Sequence, residues 1–234
     1  MWDRRKLLYR GLEPAAAPRE AVDRLIARGI HLYPEGPYRV TRTRIRRPDP
    51  ETGHAPPPES EEITVAGPPV TIDTATIVFR KQREVGGRHL FALSYEQTLN
   101  HLAPDRRVEA GSLIVAERTG RGWFASAGCG LPTGRRPDMT EPFVSVAAGW
   151  NRELGYRAAM QVHPGTANIT AVRLRFAVGA TAEADTEGDL ALFLVDHPTG
   201  VTDPDRAYTP DAVELLSGLD VIATQKPRQR PSGR

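Results

Sequence analysis

The stretch ITAVRLRF, from Ile169 to Phe176, alternates apolar and polar side chains: Val172, Leu174 and Phe176 fall on one face of an extended chain, Arg173 and Arg175 on the other. That period of two predicts a strand in a sheet with one wet face. Comparable runs recur from about Glu62 onward. They predict strands over Ile63 to Ala66, Val70 to Arg80, Leu90 to Tyr95, Leu113 to Glu117, Trp123 to Ala127, Phe143 to Ala147, Tyr156 to Val162 and Leu190 to Val195. A hairpin from Val213 to Thr224 turns at SGLD. Turn residues such as Gly86-Gly87 and His163-Pro164-Gly165 separate the runs. Many short strands without helices between them indicate antiparallel sheets, so the predicted fold class is mainly β, a sandwich or a barrel-like sheet, with a short N-terminal helix.

That helix is read from Pro18 followed by REAVDRLIARG. Proline suits the first helical position, Ala21, Val22, Leu25 and Ile26 form one apolar face, and Gly29 is a stop. Inside the β region, EQTLNHLAPDRRVEAG is the one segment that reads as a helix or a long loop. PDPETGHAPPPES, with five prolines and no large apolar side chain, reads as a linker. The expected organisation is a helical and arginine-rich segment over 1–47, a linker over 48–61, a β domain over 62–165, a small β-sandwich over 166–225 and a disordered basic tail over 226–234.

Between about residues 76 and 224, GRHLFALSYE, GWFASAGCG and the run ITAVRLRFAVG with ALFLV and AVELLSGLDVIAT resemble β-rich proteins encoded widely in actinobacteria. In those proteins a Gly-Trp strand motif precedes a small β-sandwich. The resemblance implies a fold and no activity. Many members of that group carry a membrane anchor, and none is expected in this sequence.

Composition narrows the classes. A hydrophobic content of 39% supports a real core. The single cysteine excludes an internal disulfide, and no apolar run reaches the roughly 18 residues of a membrane helix. No signal peptide is read at the start, so a soluble, cytoplasmic protein without a membrane span is expected. Charge is sorted along the chain: residues 1–47 hold twelve Lys or Arg against five acids, and residues 178–220 hold ten acids against Arg206 alone. Only Lys6, Lys81 and Lys226 are lysines among 31 basic residues, a bias that weakens any functional reading of arginine by itself.

Cys129, between two glycines, is either a nucleophile on a tight turn or a small apolar plug, and the absence of a protease signature favours the plug. A thiol enzyme would need a base, for which His163 and His197, each before a proline, are the candidates. No metal-ligand spacing is present. The oxygen-rich DTEGD, Asp185 to Asp189, invites a calcium reading but does not fit the EF-hand pattern and reads first as a turn. No cofactor motif is found. Arg39, Arg42, Arg44, Arg46 and Arg47 form the densest basic cluster, suited to an acidic protein surface or, less favoured, to nucleic acid, unless the acids of residues 49–62 neutralise it. Trp123 and Trp150 each follow a glycine and are either ligand-stacking or core tryptophans. The expectation is a non-catalytic module that holds a protein partner through sheet edges or the arginine segment, with a Cys129-dependent hydrolase or transferase and nucleic-acid binding as alternatives.

Overall fold

A computed structural model of the protein describes residues 12–30, 37–44, 57, 59–65, 67–100, 106–132, 140–151, 155–177, 179–196 and 210–226. Among them one α-helix, α1 (Pro18–Arg28), precedes the strands β1 (Tyr38–Arg44), β2 (Glu59–Val65), β3 (Thr71–Val85), β4 (Arg88–Thr98), β5 (Arg107–Thr119), β6 (Gly122–Gly130), β7 (Phe143–Asn151), β8 (Gly155–His163), β9 (Ala171–Phe176), β10 (Thr181–Asp185), β11 (Leu190–Val195), β12 (Pro210–Ser217) and β13 (Asp220–Gln225). They form four antiparallel sheets, ordered β1-β2, β3-β4-β5-β6, β11-β8-β7 and β10-β9-β12-β13. The protein is mainly β, and among the described residues no sheet closes into a barrel. No helix among the described residues is long and apolar enough to cross a membrane.

Contacts divide the chain into two units, Met1–Ile30 with Val78–Ser94 and Ala110–Arg234, and His31–Ile77 with Tyr95–Glu109. In the larger unit β11 and β8 are buried on both faces, whereas β7 leaves Val146 and Ala148 exposed. From β8, Ala158, Met160 and Val162 enter a core with Val172, Leu174, Val213 and Leu215, while Ala159 enters a second core with Leu90, Ala92, Leu113 and Val115. β11 divides the same way: Ala191 and Phe193 join the first core, Leu190, Leu192 and Leu194 the second. A strand covered on both sides needs no polar face, which is why LALFLV is an unbroken apolar run. The boundary expected at 165/166 falls between β8 and β9, whose side chains share one core.

Within the larger unit the helix packs on β6 and on the face of β3 that carries Phe79. Phe91 alternates with Leu90 and Ala92 and so points away from the second core. It meets Phe79 edge-on at 6.1 Å, and the Arg19 guanidinium of α1 lies 3.3 Å over the Phe79 ring. Ala21, Val22 and Leu25 are buried, as the helical periodicity requires, and the φ of +91° at Gly29 ends the helix.

In the smaller unit β1 and β2 pair in register from Tyr38 opposite Val65 to Arg44 opposite Glu59. Asn100 Nδ2 donates to the Pro68 carbonyl (2.7 Å) and to Thr71 Oγ1 (2.8 Å).

Three local expectations are corrected. The segment read as a helix or long loop is strand at both ends: Glu96 to Thr98 complete β4, and Arg107 to Gly111 open β5. Glu96 to Thr98 are polar on both faces, and in Arg107 to Gly111 only Val108 and Ala110 alternate with polar residues, too short a run to mark a strand. Residues 59–61 of the expected linker belong to β2. β10, TAEAD, carries a weak strand signature in the sequence because Ala182 and Ala184 are its only apolar side chains. Most of the linker, and residues 227–234 of the tail, lie outside the described residues.

Candidate functional site

Cys129 stands within β6, not on a turn. Between β5 and β6 the register shifts so that Leu113 opposes Cys129 and Ile114 opposes Ala127, leaving Gly128 as an extra, bulged residue. Ser126 shares the face of Val115, which belongs to the second core, so unbroken alternation would point position 129 the opposite way. The bulge turns it inward, and Cys129 packs with that core. Glycine is required at 128, because a Cβ there would stand 2.9 Å from the Leu113 carbonyl oxygen.

The thiol lies 3.5 Å from the Ala147 carbonyl oxygen. Burial, partly offset by a backbone hydrogen bond at Ala159 and the Arg157 charge, pushes its pKa up to about 11. At neutral pH it keeps its proton. The His163 ring is engaged elsewhere, with Nε2 3.3 Å from Ser145 Oγ and the ring stacked on Phe143 at 5.7 Å. His197 lies outside the described residues.

The arginine cluster is strand-borne in part. Arg39, Arg42 and Arg44 lie in β1, opposite Thr64, Glu61 and Glu59 of β2, and Arg39 Nε is 3.6 Å from Glu62. The acids that follow the cluster in sequence are therefore its hairpin partners. Arg46 and Arg47 lie outside the described residues. Trp123 is half-buried, edge-on to His89 at 5.1 Å, with its backbone paired to Ala15 at 2.9 Å in both directions. Trp150 is placed by its backbone, opposite Tyr156 in the β7-β8 pair. These sequence candidates are thus dispersed over separate elements.

What the fold does bring together is a set of groups at sheet edges. β11 is an edge strand made wholly of apolar residues, which left bare would pair with any other chain. Cations from β3 close it. Lys81 Nζ donates to the backbone oxygens of Leu190 (2.8 Å), Asp185 (3.1 Å) and Glu187 (3.1 Å) and to the Asp185 carboxylate, while its side chain is only 7% exposed. Arg83 donates to the backbone oxygens of Leu192 (2.6 Å) and Glu183 (2.8 Å). The two side chains thereby satisfy carbonyls of β10 and β11 together. Arg88 pairs with Asp196 just beyond.

DTEGD, the segment that invited a calcium reading, thus surrounds an ammonium supplied by the chain itself. Burial raises the Asp185 carboxyl, but the hydrogen bond and charge of Lys81 outweigh it and hold the carboxyl below its ordinary value. Sequence reading passed over Lys81. The sequence marks it only by rarity, as one of three lysines in an arginine-biased chain.

Other edges are also managed. The Gln225 carboxamide closes β7 at Val144, donating through Nε2 to the carbonyl (3.1 Å) and accepting from the amide at Oε1 (3.1 Å). Ala15 covers β6 at Trp123. β13 differs: among the described residues it has a strand neighbour on one side only, Val221 and Ile222 are 47% and 46% exposed, and Leu219 in the turn before it is 92% exposed. A bulge explains the neighbouring pair. Leu216 opposes Val221 and Leu215 opposes Ala223, so Ile222 is the extra residue. Ala223 then shares the core face of Leu215, and Val221 is turned to the opposite face, leaving two adjacent β-branched side chains in water.

No protein family matches this chain, and neither does any curated protein or solved structure.

Proposed function

We propose that the protein is a non-catalytic binding module that takes a protein partner on the edge of β13. The observation that carries this reading is the contrast between edges: carbonyls of β11 and β10 are closed by Lys81 and Arg83, whereas among the described residues β13 and the turn before it present Val221, Ile222 and Leu219 to solvent. A strand added there gains main-chain hydrogen bonds and covers those three side chains. The arginine segment is the weaker route, because Arg39, Arg42 and Arg44 are in a strand whose partner contributes Glu59, Glu61 and Glu62.

The test places a photoreactive side chain at position 222 and, as a control, at Arg175, on the charged face of the same sheet. A defined protein adduct from position 222, absent from position 175 and abolished by Val221→Lys, is the expected result. Equal adducts from both positions, or none, would overturn the reading.

A further inference from the structure

We infer that the strand β13 accepts is β13 of a second copy of this chain, run antiparallel about a twofold axis at Ala223. The inference rests on the proposed binding role of this edge and specifies its occupant. β13 begins with Asp220 and is followed at once by Lys226, with only uncharged residues between. In a two-stranded antiparallel pair of identical strands, opposed positions have a constant sum. With Ala223 on the axis, Asp220 faces Lys226, Val221 faces Gln225 and Ile222 faces Thr224. Moving the axis by half a residue in either direction breaks both charge pairs. One register therefore joins opposite charges twice and brings Ile222 and Val221 under cover, and a twofold contact of this kind is self-complementary by construction.

The bulge strengthens the case for a copy over an unrelated strand. Extra residues raise the local twist of the strand that carries them. A partner must follow that twist along the whole contact, and a second β13 has it already. The product would be one sheet of order β10-β9-β12-β13 continued by the same four strands in reverse, with neither β13 left at an edge.

Sedimentation velocity on the full chain over a concentration series tests this, with circular dichroism confirming that each variant is folded. The wild type should dimerise reversibly. Asp220→Lys and Lys226→Asp should each weaken the dimer about tenfold, because each sets like charges opposite one another, and the double exchange Asp220→Lys with Lys226→Asp should restore it to within about threefold. Ile222→Lys should abolish it. A wild type that stays monomeric up to about 1 mM, or a double exchange no better than its parents, would overturn the inference. The two proposals fail separately. A monomer whose position 222 still captures a different protein loses self-pairing and keeps the binding edge, whereas a dimer indifferent to Ile222→Lys loses both.

Discussion

β11 and β13 are both edge strands with apolar side chains, and the chain treats them oppositely. Along β11 two side chains from β3 donate to the carbonyls of Leu190 and Leu192, and the Arg88–Asp196 ion pair follows. Along β13 the described residues provide no such cover, and a bulge turns Val221 outward beside Ile222. A bare apolar edge invites pairing with other chains, so closing one while leaving another open separates structural edges from a contact edge.

The contrast breaks most readily at Lys81. Lys81→Ala strips the ammonium from three backbone oxygens and a carboxylate and should cost about 3 kcal/mol of folding stability, measured by urea denaturation. Lys81→Arg should recover less than half, since a guanidinium cannot occupy the same cradle. Recovery to wild-type stability would show that charge alone seals the flank.

The covered interior predicts an inert thiol. At pH 7 Cys129 should react with a thiol reagent on the order of 100-fold more slowly in the native protein than in urea. Because its folded pKa is raised, the stability linked to the neutral thiol is present below the unfolded value of about 8.5 and is lost as pH rises through about 11. Fast native labelling at neutral pH would return Cys129 to consideration as a nucleophile.

Gln225→Ala should cost about 1 kcal/mol, because it leaves the Val144 amide and carbonyl without the carboxamide that closes them. A smaller effect is expected from acid. The folded carboxyl of Asp185 is depressed, so its contribution is present above the unfolded value of about 3.9 and is lost as pH falls through the lower folded value. Thermal melts between pH 5 and 2 should therefore fall less steeply in Lys81→Ala than in the wild type. Smallest of all, Ile222→Lys should change stability by no more than about 0.5 kcal/mol while removing association. A large loss of stability in that variant would make Ile222 a structural residue and erase the contrast with β11.

How much of this was legible beforehand varied with the range of the interactions. Helix α1 was readable because its signals are local: Pro18 at the start, Gly29 at the stop, and the spacing of Ala21, Val22 and Leu25 between them. β9 was readable from Val172, Leu174 and Phe176, and the β12-β13 hairpin from its turn at Gly218 and Leu219. The bulges at Gly128 and Ile222 were not. Each follows from a register with the neighbouring strand, and nothing in GWFASAGCG or DVIATQ marks which residue is the extra one. That is why Cys129 read as a possible turn residue and Val221 as an ordinary strand residue.

The sequence by itself determined the mainly β class, the helix, most strand positions and the absence of a compact catalytic or metal-ligand motif, because periodicity and turn chemistry act over a few residues. Tertiary structure alone decided that β8 and β11 lie between two layers, that Arg39, Arg42 and Arg44 stand opposite an acidic strand, and that Lys81 finds its oxygens 104 to 109 residues along the chain. Those outcomes depend on which elements meet, and side-chain pattern within one strand cannot specify its partner when several strands offer the same alternation.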